Sequence, residues 1–318
     1  MSKQRKTGNI LLILTALIWG TAFVFQRVGM ESIEPITFNA ARSVLAFVSV
    51  GAVALILNKK KGKPDVPQAE VRKKRANTLL GGVCCGAFLT AATMFQQIGV
   101  TQTTAGKAGF LTSMYMLFVP VVNLLLFRKK STARVWIAVL IGVAGMYLLC
   151  VKDGFSFAQG DMWIMLCAVM FSGHILCCDY FVQKSDPVAL SALQFLTAAV
   201  CSGVIAFFTE TPTVEKLVSA LIPILYCGIV SSGVGYTCQI VAQKFTDPTV
   251  ASLILSLESV FAVLAGVLIL GERMNAQEII GCAVLFAAIL LVQIPLSEIG
   301  IFRLKRKQPC DIIRSAKE

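Results

Sequence analysis

Residues 248–270 read PTVASLILSLESVFAVLAGVLIL, and the only charged side chain among them is that of Glu258. A helix needs about 20 apolar residues to cross the hydrocarbon core of a bilayer, and this stretch is long enough. Backbone N–H and C=O groups find no water to bond in lipid, so such a run must be helical. The stretch therefore predicts a membrane-spanning helix with one carboxylate near its middle.

Nine further runs of similar length and composition occupy most of the chain. The 318 residues are 56% hydrophobic and 14% charged, which is too apolar for an ordinary soluble domain. We therefore expect an all-α integral membrane protein with ten transmembrane helices. They are predicted at approximately Gly8–Arg27, Ile36–Asn58, Ala76–Val100, Ala105–Phe127, Thr132–Val151, Gly160–Gln183, Val188–Phe208, Leu217–Gln243, Pro248–Leu270 and Ala276–Ser297.

The basic residues are concentrated in alternate connections between these runs. With a cytoplasmic N-terminus, the cytoplasmic segments hold 23 of the 29 Lys and Arg residues. This bias is the positive-inside pattern of membrane proteins. We expect a multi-pass protein of the cell membrane with both termini in the cytoplasm. The net charge of +12 thus indicates topology and contact with membrane lipid, and no nucleic-acid partner is expected.

The two halves of the chain show a weak internal repeat. At an offset of 152 residues, Glu34-Pro35 at the start of the second run matches Asp186-Pro187 at the start of the seventh. At an offset of 143 residues six further positions are identical, among them Gln96 and Gln239. Both offsets pair the first five runs with the last five in order.

We therefore predict two five-helix repeats, at residues 1–151 and 152–297, followed by a basic cytoplasmic tail at 298–318. Five crossings return the chain to the opposite side of the membrane, so the second repeat must be inverted relative to the first. Inverted repeats are a recurrent plan of secondary transporters, which bind their substrate near the bilayer midplane between the repeats.

Several short stretches resemble the EamA-type drug/metabolite transporters. They are residues 19–23 (WGTAF), Arg42 early in the second run, residues 256–260 (SLESV) and residues 270–273 (LGER). The resemblance covers essentially residues 9–293. It implies two five-helix repeats and secondary transport of small organic metabolites, often by export. It also implies a central cavity lined by the third, fourth, eighth and ninth helices.

Glu258 is the clearest candidate for chemistry at membrane depth. An ionised carboxylate there is costly unless it is paired or hydrated, and intramembrane carboxylates mark transport routes. We interpret it as a cavity-lining acceptor for a coupling proton or cation; a structural carboxylate paired in the packing is the alternative. Tyr115 occupies the matching position of the fourth run and would offer a hydrogen bond and a flat apolar face.

Further polar candidates lie on the same predicted helices. Gln96, Gln239 and Gln243 are expected either to contact the substrate or to join helices by ordinary hydrogen bonds. Arg42 lies about two turns into the second run. It would either steer an anionic group of the substrate or pair with an external carboxylate. Trp19 and His174 are mid-membrane candidates, and a packing role is the alternative for His174.

The sequence offers no enzyme motif. It lacks HExxH, GxSxG and a P-loop, and its single histidine limits acid–base designs. No metal site and no cofactor are expected. The favoured function is secondary transport of a small, amphipathic metabolite such as an amino acid. A channel, a receptor or an intramembrane enzyme is the alternative, and the protein is expected to be a monomer or a homodimer.

Overall fold

The computed structural model describes residues 3–60, 67–102, 105–150, 159–270 and 274–293. These residues are helical, with short turns and no strand. Eight helices are long and apolar enough to cross a membrane, and two shorter apolar helices, Ala133–Leu149 and Ala276–Val292, accompany them. The described part of the chain thus contains ten apolar helical segments, numbered here from first to tenth.

Six of the first seven segments are single helices. They are α1 (Lys3–Gly29), α2 (Pro35–Lys60), α3 (Gln68–Val100), α6 (Ala133–Cys150), α7 (Gln159–Val182) and α8 (Pro187–Thr209), with α14 (Ala276–Gln293) as the tenth segment. The fourth segment is broken into α4 (Ala105–Thr112) and α5 (Tyr115–Phe127), and the ninth into α12 (Pro248–Leu255) and α13 (Glu258–Leu270). A short helix α9 (Val214–Ser219) precedes the eighth segment, which comprises α10 (Leu221–Leu225), a π-helical stretch (Tyr226–Tyr236) and α11 (Thr237–Gln243).

The breaks in the fourth and ninth segments have the same hydrogen-bond pattern. The Met114 N–H donates to the Leu111 carbonyl at 3.2 Å, and the Leu257 N–H donates to the Ile254 carbonyl at 3.1 Å. These bonds span three residues rather than four, which tightens the helix for one turn. Each of the two bonds is displaced from the other by the 143 residues that relate the repeats in sequence.

The segments pack in pairs that are exchanged when five is added to each number. The second contacts the seventh and the fifth contacts the tenth; the third contacts the sixth as the first contacts the eighth. In the same way the fourth contacts the sixth and the first contacts the ninth. Most of these contacts join the two halves of the chain, so the space between the halves is where a shared cavity would form.

The exterior of the bundle is apolar and its interior contains polar side chains. Leu126, Phe208 and Leu268 are more than 70% exposed, as expected of side chains that face lipid. By contrast, Asn39, Arg42 and Glu258 are no more than 5% exposed. This inverse of a soluble protein agrees with a membrane solvent, in which polar side chains find partners only inside the bundle.

Candidate functional site

A cavity of about 470 Å³ lies between the two halves of the bundle. Its size falls within the range of small-molecule sites. The walls come from the first, second, third, fourth, sixth, eighth and ninth segments. They comprise Trp19, Phe23, Gln26, Arg42, Gln96, Thr112, Tyr115, Phe171, Ile175, Ser231, Tyr236, Gln239 and Glu258.

Glu258 is the first residue of α13, directly after the break in the ninth segment. The hydroxyl of Tyr115, which begins α5 after the corresponding break, donates a hydrogen bond to Glu258 Oε1 at 2.9 Å. Ser113 Oγ donates to the same oxygen at 3.4 Å. No described residue forms a hydrogen bond with Oε2. One carboxylate oxygen is therefore held by the fourth segment, and the other is left for the cavity.

Arg42 is 5% exposed and supplies the positive charge of the cavity wall. Its Nε donates to Asn39 Oδ1 at 2.9 Å, and its Nη1 lies 3.5 Å from Gln26 Oε1. The Asn39 amide in turn donates to Ser202 Oγ at 2.9 Å. These neutral partners orient the guanidinium without neutralising it. The predicted alternative, a pair with Glu31 or Glu34, does not occur, because Glu34 is bonded to Lys216 instead.

Aromatic rings form the opposite part of the wall. The Trp19 and Tyr236 rings lie 4.5 Å apart between centroids, and Tyr115 meets Phe171 edge to face at 6.4 Å. Trp19 Nε1 donates to the carbonyl of Ser231 at 3.3 Å, within the π-helical stretch. Such stretches are frequent at functional sites because their wider turns displace side chains and carbonyls. The rings give the cavity apolar surface beside its two charges.

The three predicted glutamines have different surroundings. Gln96 and Gln239 line the cavity, and Gln239 Oε1 is buried without a hydrogen-bond partner. Gln243 lies outside the cavity wall. Its side chain accepts from Gln239 Nε2 at 3.2 Å and donates to the Ile175 carbonyl at 2.9 Å. Gln243 therefore joins the eighth segment to the sixth, whereas Gln239 presents an unsatisfied oxygen to the cavity.

His174 also lies behind the cavity rather than in its wall. Its Nε2 is 3.0 Å from Gln194 Oε1, and its ring packs against that of Tyr236 at 5.7 Å. This placement favours a packing role that supports Tyr236. The structure thus brings together six of the eight predicted residues, namely Glu258, Tyr115, Gln96, Gln239, Arg42 and Trp19, and leaves Gln243 and His174 outside.

Sequence reasoning did not select Tyr236, Ser231 or Gln26, which also line the cavity. The glycine-rich sequence YCGIVSSGVGY at 226–236 is the one signal that could have indicated a special backbone there. Gln26 lies two turns beyond Trp19 on α1, and only the helix period connects the two.

A polar network ties the ends of the second and seventh segments outside the apolar region. The Glu210 carboxylate accepts from the N–H groups of Ile36 and Thr37 at 3.0 and 2.7 Å, which caps α2. Beside it, Lys216 donates to Glu34, and this hydrogen bond holds the pKa of Glu34 below its ordinary value. The second segment is therefore anchored to the connection that follows the seventh.

An apolar helical bundle with a buried, charged cavity between two related halves defines a multi-pass membrane protein. The profile of the EamA-like transporter family matches the chain twice, at residues 6–151 and 158–294. The chain belongs to the EamA-like transporter family. The resemblance inferred from short motifs is thereby confirmed, and at the level of class the protein is a membrane transporter.

Individual relatives agree with this assignment. An uncharacterized transporter of Archaeoglobus fulgidus is 27% identical over 92% of this chain and 87% of its own length. A probable terminal-alkyne amino-acid exporter of Streptantibioticus cattleyicolor is 23% identical over 88% of this chain and 91% of its own. One solved crystal structure superposes with a TM-score of 0.74 at 17% identity, covering 90% of this chain and 96% of that chain, and supports the fold.

Proposed function

We propose that the protein exports a small amphipathic metabolite with an amino-acid head group across the cell membrane. One observation carries this proposal: the cavity exposes a buried cation and a buried anion, Arg42 and Glu258, that are not paired with each other. Each charge is costly in a membrane interior while it lacks a counter-charge. A substrate carboxylate at Arg42 and a substrate ammonium at Glu258 would offset both costs together.

The rest of the wall fits such a substrate. The unpartnered Gln239 Oε1 is an acceptor for an N–H group, and leaving it unbonded costs free energy. The rings of Trp19, Tyr236 and Phe171 offer apolar surface to a side chain. The relative named as a probable amino-acid exporter supports the same substrate class and direction.

Transport by alternating access around this cavity follows from two inverted repeats, which we place at residues 1–151 and 152–297. The exchange symmetry of the segment contacts and the matched helix breaks support this arrangement. The positive-inside bias places both termini in the cytoplasm. With that orientation the cavity lies toward the outside, and the first and eighth segments close the cytoplasmic side, where Thr15 Oγ1 donates to the Gly235 carbonyl at 3.1 Å.

Coupling to an ion gradient would operate through Glu258. A proton or cation that neutralises this carboxylate removes its attraction for the substrate ammonium. Ion and substrate would therefore displace each other, and an inward ion gradient would drive export by exchange.

The experiment that tests the proposal is counterflow in proteoliposomes preloaded with a panel of unlabelled amino acids. We expect accumulation of at least one labelled zwitterion by the intact protein and loss of accumulation in Glu258→Gln. Flux of none of the zwitterions would overturn the substrate class. Passive, non-saturable flux of many solutes would instead indicate a channel.

A further inference from the structure

Five oxygen atoms converge where the broken fourth and ninth segments cross. Besides the bonds to Glu258 Oε1 described above, Ser113 Oγ lies 2.9 Å from Ser259 Oγ. Ser259 Oγ lies 3.4 Å from the carbonyl oxygen of Gly109. The Tyr115 hydroxyl completes the group through its 2.9 Å contact with Oε1. The cluster lies on the Oε1 side of Glu258, beneath the cavity wall.

The spacing of these atoms suits the ligands of one hard cation. Cations of calcium's size take oxygen ligands at roughly 2.3–2.6 Å, and two ligands at right angles are then about 3.4 Å apart. The four contacts in the cluster, at 2.9 to 3.4 Å, fall close to that separation. A proton on Glu258 would need only one acceptor, so it would leave the convergence of two serine hydroxyls and a carbonyl without a purpose.

The charge of the cluster selects a monovalent ion. Glu258 is the only carboxylate among the five ligands, so one positive charge neutralises it. A divalent ion would leave an excess charge in a cavity that already contains Arg42. Interrupted helices in membrane transporters commonly coordinate sodium through unwound carbonyls near the midplane.

We infer that the crossing of the fourth and ninth segments is a sodium site formed by Ser113, Tyr115, Glu258, Ser259 and the Gly109 carbonyl. The inference deepens the proposed exchange and rests on it for its role in transport, since sodium on Oε1 would weaken the hold of Oε2 on a substrate ammonium. Binding itself can be measured without transport. The titratable or charged neighbours that face Glu258 are Tyr115, Cys167, Tyr236 and Arg42.

The test is binding of radiolabelled sodium to the purified full-length protein, with thermal unfolding in sodium chloride and in choline chloride at equal ionic strength as a second readout. A ligand that binds only the folded state raises the unfolding temperature. We expect saturable binding and a sodium-specific rise for the unaltered protein. Loss of even an outer-shell partner costs roughly 10–100-fold in metal affinity, so Ser113→Ala and Ser259→Ala should each weaken binding at least about tenfold.

Ser256→Ala is the matched control. Ser256 lies in the break of the ninth segment, but its hydroxyl donates within its own helix to the Leu253 carbonyl at 2.7 Å. This variant should retain sodium affinity. Unfolding in choline chloride establishes that each variant is folded, and Ser259→Ala keeps the test decisive if Ser113→Ala does not fold.

The outcomes separate this inference from the proposed function. Equal behaviour in sodium and choline, or equal affinities of Ser259→Ala and Ser256→Ala, would overturn the sodium site. Zwitterion flux that follows a proton gradient and ignores sodium would also overturn it while leaving the proposed export intact. Sodium binding with no flux of any zwitterion would support the site and overturn the proposed substrate.

Discussion

Arg42 and Glu258 lie in the wall of one buried cavity, yet they form no ion pair with each other. Arg42 is bonded to Asn39 and to Gln26, and Glu258 to Tyr115 and Ser113. Both charges are thus oriented by neutral groups and keep their electrostatic demand for a partner. A solute with both charges satisfies that demand better than the protein does by itself.

Replacement of Arg42 should weaken recognition of the substrate carboxylate. Arg42→Gln removes the charge, and Arg42→Lys retains it without the planar fork that suits a carboxylate. Loss of a charge-assisted hydrogen bond worth about 1.5–3 kcal/mol should raise the apparent KM for a zwitterion roughly 10–100-fold. The measurement is concentration-dependent uptake in proteoliposomes. Arg27→Gln, at an exposed position near the end of α1, is the control and should leave KM unchanged.

Tyr115 should act through Glu258. Tyr115→Phe removes the 2.9 Å hydrogen bond to Oε1 and should reduce kcat/KM for flux by roughly tenfold. In a Glu258→Gln background the same change should have a much smaller effect, because the charged acceptor is already gone. A double-mutant cycle of flux measures this coupling. Additive losses would mean that the phenol acts on the substrate independently of the carboxylate.

Gly20 should not tolerate a side chain. A Cβ there would lie 2.5 Å from Phe261 Cβ and 2.6 Å from the carbonyl oxygen of Glu258, so Gly20→Ala would push the first segment away from the ninth. Overpacking of this kind costs about 1–3 kcal/mol. Thermal unfolding in detergent should show the loss, together with reduced flux. Gly203→Ala is the control, since no atom lies within 4 Å of the added Cβ and the change should be neutral or stabilising.

The contact between Glu34 and Lys216 should contribute to stability in a pH-dependent way. The pKa of Glu34 is lowered by the bond from Lys216, so the contribution is full above the ordinary pKa of a glutamate. It is lost as the pH falls through the lowered value. Lys216→Gln should reduce the unfolding temperature at neutral pH by roughly 1–2 °C, because the pair is partly exposed. The difference should disappear in acid, whereas Glu31→Gln should show no such dependence.

Gln239 and Gln243 should separate binding from packing. Gln239→Ala removes an amide that faces the cavity and should raise KM with little loss of stability. Gln243→Ala removes the bond to the Ile175 carbonyl, so it should lower the unfolding temperature and leave KM nearly unchanged. Uptake kinetics and thermal unfolding of both variants check this contrast. A rise in KM for Gln243→Ala alone would contradict it.

Hydropathy and the internal offsets predicted the helical segments and the correspondence of Tyr115 with Glu258. This succeeded because lipid requires helices of a fixed minimum length. The breaks after Thr112 and Leu255 could not be predicted, since neither Ser113-Met114 nor Ser256-Leu257 contains the glycine or proline that usually interrupts a helix. The breaks depend on serine hydroxyls and on contacts from the partner segment.

The cavity residues show a similar limit. Gln239 and Gln243 are four residues apart and share one helix face, so the helical period cannot distinguish a cavity residue from a packing residue. Only the position of the Ile175 carbonyl on a neighbouring helix decides it. Tyr236 was missed for a comparable reason: its place in the wall depends on the π-helical stretch, which has no reliable sequence signature.

Tyr115 and Glu258 are 143 residues apart, so they are the same position of the two repeats in contact with itself. Two identical halves would set like against like there: two carboxylates would repel, and two phenols would carry no charge at neutral pH. Divergence at this one position has turned a self-contact into a donor and an acceptor. The duplicated chain thereby holds a single negative charge at a place where perfect symmetry would have allowed only two or none.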